Sequence, residues 1–171
     1  MKKILTAALA LALTLTALSG CAGKPAAAPA RTPEELTQIY ADAITQNGGE
    51  MVEYNPVISE VKEDDMSAMI LESLGLNAED LEAFGISMSM MNVKAYGIAA
   101  VMPAEGKEGA VREALQGFID NQRQSFEQYL ADQYEIAKSA KLETLADGTV
   151  LMVMCENSGA VYEAIKGSIE G

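Results

Sequence analysis

Histidine is missing from all 171 residues. That absence removes the usual nucleophile–base triads, the His-ligated zinc sites and the side chain that titrates near neutrality. No Walker loop, GxGxxG fingerprint or GxSxG elbow is present. Carboxylate pairs can be found anywhere in so acidic a chain, and nothing sets one pair apart from solvated surface. No catalytic residue is nominated and no cofactor is implied; an envelope enzyme working through carboxylates stays as an alternative. Basic residues are scarce, 12 Lys and Arg against 25 Asp and Glu. A chain of that charge is repelled by phosphate backbones, so nucleic acid is not expected as a partner, and it stands off an anionic lipid surface. Cysteines number two, Cys21 and Cys155.

What the chain does have is a distinctive beginning. Lys2 and Lys3 form a positive n-region, residues 4–18 are an unbroken apolar run, and the run closes on Leu18-Ser19-Gly20-Cys21. This is the pattern of a secretory signal with a lipoprotein cleavage box. Residues 1–20 are expected to be removed and the Cys21 thiol to carry diacylglycerol, with palmitate a typical chain. A spanning helix is the competing reading, but the run falls short of the ~20 residues that a membrane crossing requires. Two acyl chains on one residue suffice for lasting attachment. Removing Lys2 and Lys3 with the signal leaves 12 − 2 = 10 basic against 25 acidic residues, a mature charge of 10 − 25 = −15. Lipid on Cys21 leaves Cys155 alone, so no intramolecular disulfide can form. Cys155 closes the hydrophobic run 150–155, where a small buried hydrophobe is expected.

Residues 21–31 carry the lipidated Cys and an Ala/Pro-rich tether that can reach ~30 Å. Residues 32–171 read as one α+β domain. Thr32-Pro33-Glu34-Glu35 is a capping box with Pro in the first turn, and Asn47-Gly48-Gly49 ends the helix it starts. A short edge strand is expected at 57–61. A helix capped by Asp64 or Asp65 follows, running to Leu74, and then a second short one from Asn77 through Leu81 and Phe84 to the Gly85 stop. From Ile86 the period changes to two, placing Met88 and Met90 on one face of a strand that pairs with 93–102. The stripe Val111, Leu115, Phe118, Ile119, Phe126, Tyr129, Leu130 is helical. A straight helix over 105–140 would be ~50 Å long, so a bend is expected near Ala131-Asp132. Asp147-Gly148 turns a second hairpin, 141–145 with 149–155, and Asn157 or Ser158 caps the last helix.

The core order is therefore ββαββα. A right-handed crossover with the fourth strand between the second and third gives sheet order 1-2-4-3, a permuted ferredoxin-like two-layer sandwich with a four-stranded antiparallel sheet, preceded by N-terminal helices. Both central strands are apolar at consecutive positions, so both faces of the sheet need cover. The N-terminal helices, a homodimer mate or an envelope protein partner are the candidates.

The segments Ala95-Tyr96-Gly97-Ile98-Ala99, 124–130 (QSFEQYL) and Asp147-Gly148-Thr149-Val150-Leu151 carry a resemblance. Over roughly 36–169 the chain resembles an uncharacterised family of small lipoproteins of Gram-positive anaerobes that carry a domain of unknown function. The resemblance implies a place outside the cytoplasmic membrane and transfers no activity or site residue. One constellation carries chemistry of its own: Met88, Met90, Met152, Met154 and Cys155 offer soft sulfur ligands in MxM spacing, a pattern that can hold Cu(I). Core packing by methionine is the competing account. The functional expectation is a lipid-anchored, extracytoplasmic binding or accessory module of the cell envelope, with a soft-metal lipoprotein as the alternative.

Overall fold

The structure is a computed structural model that describes residues 31–62 and 65–171. Cys21, the signal and the rest of the tether lie outside the described residues, as does Asp64.

Helix α1 (Pro33–Asn47) starts as its sequence dictates. The Thr32 hydroxyl accepts from the Glu35 amide at 3.2 Å and the Glu35 carboxylate accepts from the Thr32 amide at 2.8 Å. This reciprocal pair satisfies two donors that a helix start otherwise leaves open. One face of α1 buries Leu36, Tyr40, Ala43 and Ile44, and the Gly48 amide closes the last turn on the Ile44 carbonyl at 2.7 Å. A single-turn helix α2 (Met51–Tyr54) and α3 (Asp65–Leu74) follow.

The sheet is formed by β1 (Leu81–Met88), β2 (Gly97–Pro103), β3 (Lys141–Thr144) and β4 (Val150–Met154) in the order β1-β2-β4-β3, with every neighbouring pair antiparallel. Between the hairpins lie α4 (Glu108–Phe126) and α5 (Ala131–Lys138), and α6 (Ser158–Glu170) closes the chain. The expected antiparallel sheet, its 1-2-4-3 order and the preceding N-terminal helices are thus all present. The bend in the long helical stripe falls between Phe126 and Ala131. There the Arg123 guanidinium donates to the Ala137 and Lys138 carbonyls at 3.2 and 3.3 Å, holding the end of α4 against the end of α5.

Strand periodicity divides the core in two. Phe84, Ile86 and Met88, Ala99 and Val101, and Val150, Met152 and Met154 face a cluster completed by Leu74, Val111, Leu115, Phe118, Ile119 and Phe126. The alternate residues Ala83, Ile98, Ala100, Leu151, Val153 and Cys155 face a second cluster completed by Leu36, Tyr40, Ile44, Tyr162, Ile165 and Ile169. Each large side chain so buried contributes about 1.5–3 kcal/mol, which is why the two central strands carry no polar residue.

The layering differs from the expected two-layer sandwich. Helix α6 packs beside α1 on the face opposite α4, so helices cover both faces of the sheet, and no second subunit is needed to cover the apolar strands. Three local expectations also change. Residues 77–85 are not a helix: Ala78–Asp80 make one 3-10 turn, and β1 begins at Leu81, five residues before the expected strand. Gly85, which reads as a helix stop, is instead a strand glycine under α1. A Cβ there would lie 2.9 Å from Tyr40 Cβ and 3.0 Å from the Tyr40 carbonyl carbon. The 57–61 edge strand shrinks to one antiparallel bridge, Ile58 with Ile86. Met90 lies beyond the end of β1, in the loop to β2, and is exposed, so it shares no strand face with Met88.

Candidate cleft at the end of the sheet

Four segments meet at the end of the sheet where β4 finishes and β2 begins. The α1–α2 connection is three residues long, Gly48 to Glu50. Gly48 has no room for a side chain, since a Cβ would lie 2.7 Å from the Ile44 carbonyl oxygen, and Gly49 takes φ +77°, which a glycine adopts without strain. The β1–β2 loop is pinned from below: the Ala95 amide donates to Gln133 Oε1 at 2.9 Å, and Gln133 Nε2 donates to Asp132 Oδ2 at 2.9 Å. Gln133 is buried, so this α5 side chain supplies an internal partner where no strand can. The Tyr96 hydroxyl and Ser87 Oγ lie 2.9 Å apart, and Ser87 Oγ donates to the Asn55 carbonyl at 2.6 Å, tying β1, β2 and the exit of α2 together. After β4 the chain leaves through Asn157 at φ 57°, a left-handed residue of the type that tolerates that conformation.

Between these segments opens a cleft of about 360 Å³. Ala95, Tyr96 and Cys155 are buried at its floor, while Met51, Tyr54, Ile136 and Val161 give apolar walls. Glu50, Lys94 and Glu156 bring exposed charges of both signs. Burial pushes the Cys155 thiol up to about 11, with the Glu156 carboxylate adding to the effect, so at neutral pH it is a protonated thiol and a poor nucleophile. Burial likewise raises the Tyr96 phenol to about 12 against the opposing hydrogen bond from Ser87. Asp132, behind the wall, sits below the usual carboxylate range, chiefly through its bonds from Gln133, with the Lys94 charge a smaller cause. The cleft thus combines a concavity, a hydrogen-bonded floor and a few polar groups at the rim, features that small-molecule sites share.

The sulfur constellation is only partly assembled. Met88, Met152 and Met154 are buried in one core cluster, where Met88, Gly97 and Met154 form a row across three strands. The missing side chain of Gly97 makes space for Phe118, whose Cε1 would lie 3.1 Å from a Cβ at that position. Cys155 faces the opposite cluster and Met90 is out in the loop, so the five sulfurs do not converge. Among the described residues, no three Cys, Asp or Glu side chains gather into a metal-binding group. None of Glu50, Tyr54, Lys94 or Gln133 stands out in the sequence as a site residue. The one local sign of this corner is the pair of tight reversals at Gly48-Gly49 and Asn157.

Residues 57–155, more than half of the chain, match a family described as a domain of unknown function, DUF4358. The chain belongs to the DUF4358 family. No curated protein and no solved structure gives a match. The matched stretch is narrower than the 36–169 span of the resemblance: it holds α3 to α5 and all four strands, and leaves out α1, α2 and α6. The DUF4358 stretch therefore supplies Lys94, Tyr96, Gln133 and Cys155 to the cleft, while Glu50, Met51, Tyr54, Glu156 and Val161 come from its flanks.

Proposed function

We propose that this DUF4358 protein is a lipid-anchored binding or accessory module on the extracytoplasmic face of the cell membrane, an envelope lipoprotein of Gram-positive type whose binding site is the cleft at the sheet end. The observation that carries the anchor is the sequence Leu18-Ser19-Gly20-Cys21 behind a basic start and an apolar run. Among the described residues no helix is long and apolar enough to cross a membrane. The cleft is favoured as the site because its floor is fixed by buried hydrogen bonds and its rim carries charge.

The cleft lies at the end of α1. Helix α1 ends in the cleft wall at Gly48, so its first residue lies a helix length away, 15 residues or ~22 Å. Metabolic labelling with palmitate, followed by membrane fractionation, tests the anchor. The wild-type chain should be labelled and sediment with membranes, and Cys21→Ala should be unlabelled and remain an uncleaved precursor. A wild-type chain that takes up no label would refute the reading.

A further inference from the structure

The cleft brings unpaired charges of both signs together in one concavity. Three lysines are matched locally, Lys107 with Asp80 at 2.7 Å, Lys62 with Glu60 at 3.0 Å and Lys138 with Glu135 at 3.1 Å, whereas among the described residues Lys94, Lys141 and Lys166 form no ion pair, and of these three Lys94 alone lines the cleft. Lys94, Glu50 and Glu156 line one cleft, yet among the described residues none of them forms an ion pair, so no nitrogen–oxygen distance between them falls within 4.0 Å. Opposite charges that line one concavity without pairing leave a bound molecule to supply partners for both. An anion alone would satisfy Lys94 but would approach through the field of a chain whose formal charge is −13. A cation alone would bring a like charge towards Lys94, whose charge already acts on Asp132. A ligand with an ammonium at one end and a carboxylate at the other satisfies both sets.

Size and lining narrow it further. About 360 Å³ lies at the small end of the range for small-molecule sites, and Met51, Ile136 and Val161 offer apolar surface between the charges. Tyr54, 78% exposed, lines the same cleft and adds an aromatic ring, a group that attracts cations. We propose that the cleft binds a short hydrophobic peptide as a zwitterion, its carboxylate held by Lys94 and its ammonium by Glu50 and Glu156. The assignment rests on reading this cleft as the binding site.

Isothermal titration calorimetry on the full chain in lipid nanodiscs tests it with leucyl-leucine and three blocked forms: N-acetyl-leucyl-leucine, leucyl-leucine amide and the doubly blocked peptide. Leucyl-leucine should bind, and removing either terminal charge should weaken binding about tenfold or more, the scale of one lost charge-assisted contact. Lys94→Met should weaken leucyl-leucine and leave the amide unchanged. Glu50→Gln with Glu156→Gln should weaken leucyl-leucine and leave the acetylated peptide unchanged. Because each variant has a probe that it must not affect, misfolding cannot imitate the result. Equal binding of the doubly blocked peptide would overturn the zwitterion while keeping the cleft as a binding site, and silence with all four probes would overturn the peptide assignment. The palmitate experiment judges the anchor independently of either outcome.

Discussion

Tyr40 and Thr149 are 109 residues apart in sequence, fully buried, and joined by a hydroxyl–hydroxyl bond of 2.7 Å that links α1 to the start of β4. Burial raises the Tyr40 phenol to about 12, the mark of an O–H held away from water. Deleting one partner, Tyr40→Phe or Thr149→Val, removes a net hydrogen bond of ~1 kcal/mol and strands the other hydroxyl in the core, a further ~1–3 kcal/mol. Each single variant should therefore lose about 2 kcal/mol. The double variant has no stranded hydroxyl and nearly conserved shape, so it should lose about 1 kcal/mol, a coupling of about 1 − 2 − 2 = −3 kcal/mol. Urea unfolding followed by far-ultraviolet circular dichroism is the assay. With a slope of ~2 kcal/mol per molar, each single variant should unfold about 1 M earlier and the double variant about 0.5 M earlier. If the double variant loses the sum of the single costs, the two hydroxyls are not partners and the docking of α1 on β4 is misread.

Gly85→Ala places a methyl group against the Tyr40 backbone and should destabilise by about 1–3 kcal/mol in the same assay, the cost of overpacking a site that cannot yield. Cys155, with its thiol raised to about 11, should resist alkylation in the folded protein at neutral pH and react once urea unfolds it. The same shift has a sign in stability. A thiol whose folded value lies above its ordinary 9.0 favours folding fully below pH 9, and that contribution is lost as pH rises towards 11, with Tyr40 and Tyr96 following towards 12. Alkaline titration of the urea midpoint should show it, and Cys155→Ala should flatten the first part of the fall. Asp80, held below its ordinary 3.8 chiefly by the Lys107 hydrogen bond, acts in the opposite direction: its contribution is present above pH 3.8 and disappears as pH falls through the lowered value. Asp80→Asn should therefore reduce the acid slope of the midpoint without altering the alkaline one.

Much of the fold was legible because local chemistry and tertiary structure agree in those places. The Thr32–Glu35 box, the Asp147-Gly148 reversal with Gly148 at φ +96°, and the stripe from Val111 to Phe126 each specify their element unaided. Residues 81–85 misled because Leu81 and Phe84 sit at helical spacing before a glycine. What makes Gly85 a strand residue is the α1 backbone arriving from 45 positions earlier in the chain. The face taken by α6 was illegible for a similar reason. Like α4, it has a single apolar stripe, and a helix that follows the last strand can fold back on either side of the sheet. What settles the choice is α1, whose Leu36, Tyr40 and Ile44 share a core with Tyr162, Ile165 and Ile169. The cleft was the least legible of all, since its residues come from four separate segments and none belongs to a spaced motif.

The family match divides the two helical layers. The α3–α5 layer and the sheet lie within the DUF4358 stretch, while α1 and α6 flank it and meet each other over the second face, with the Arg31 guanidinium reaching the Ile169 carbonyl at 2.6 Å. Those flanks also bring Glu50, Met51, Tyr54 and Glu156 to the cleft. The lining of the cleft is therefore divided between the family stretch and its flanks, while the sheet that frames it lies wholly within the family stretch. Relatives that share the central stretch and differ in their flanks are expected to keep the sheet and differ in the lining of the cleft.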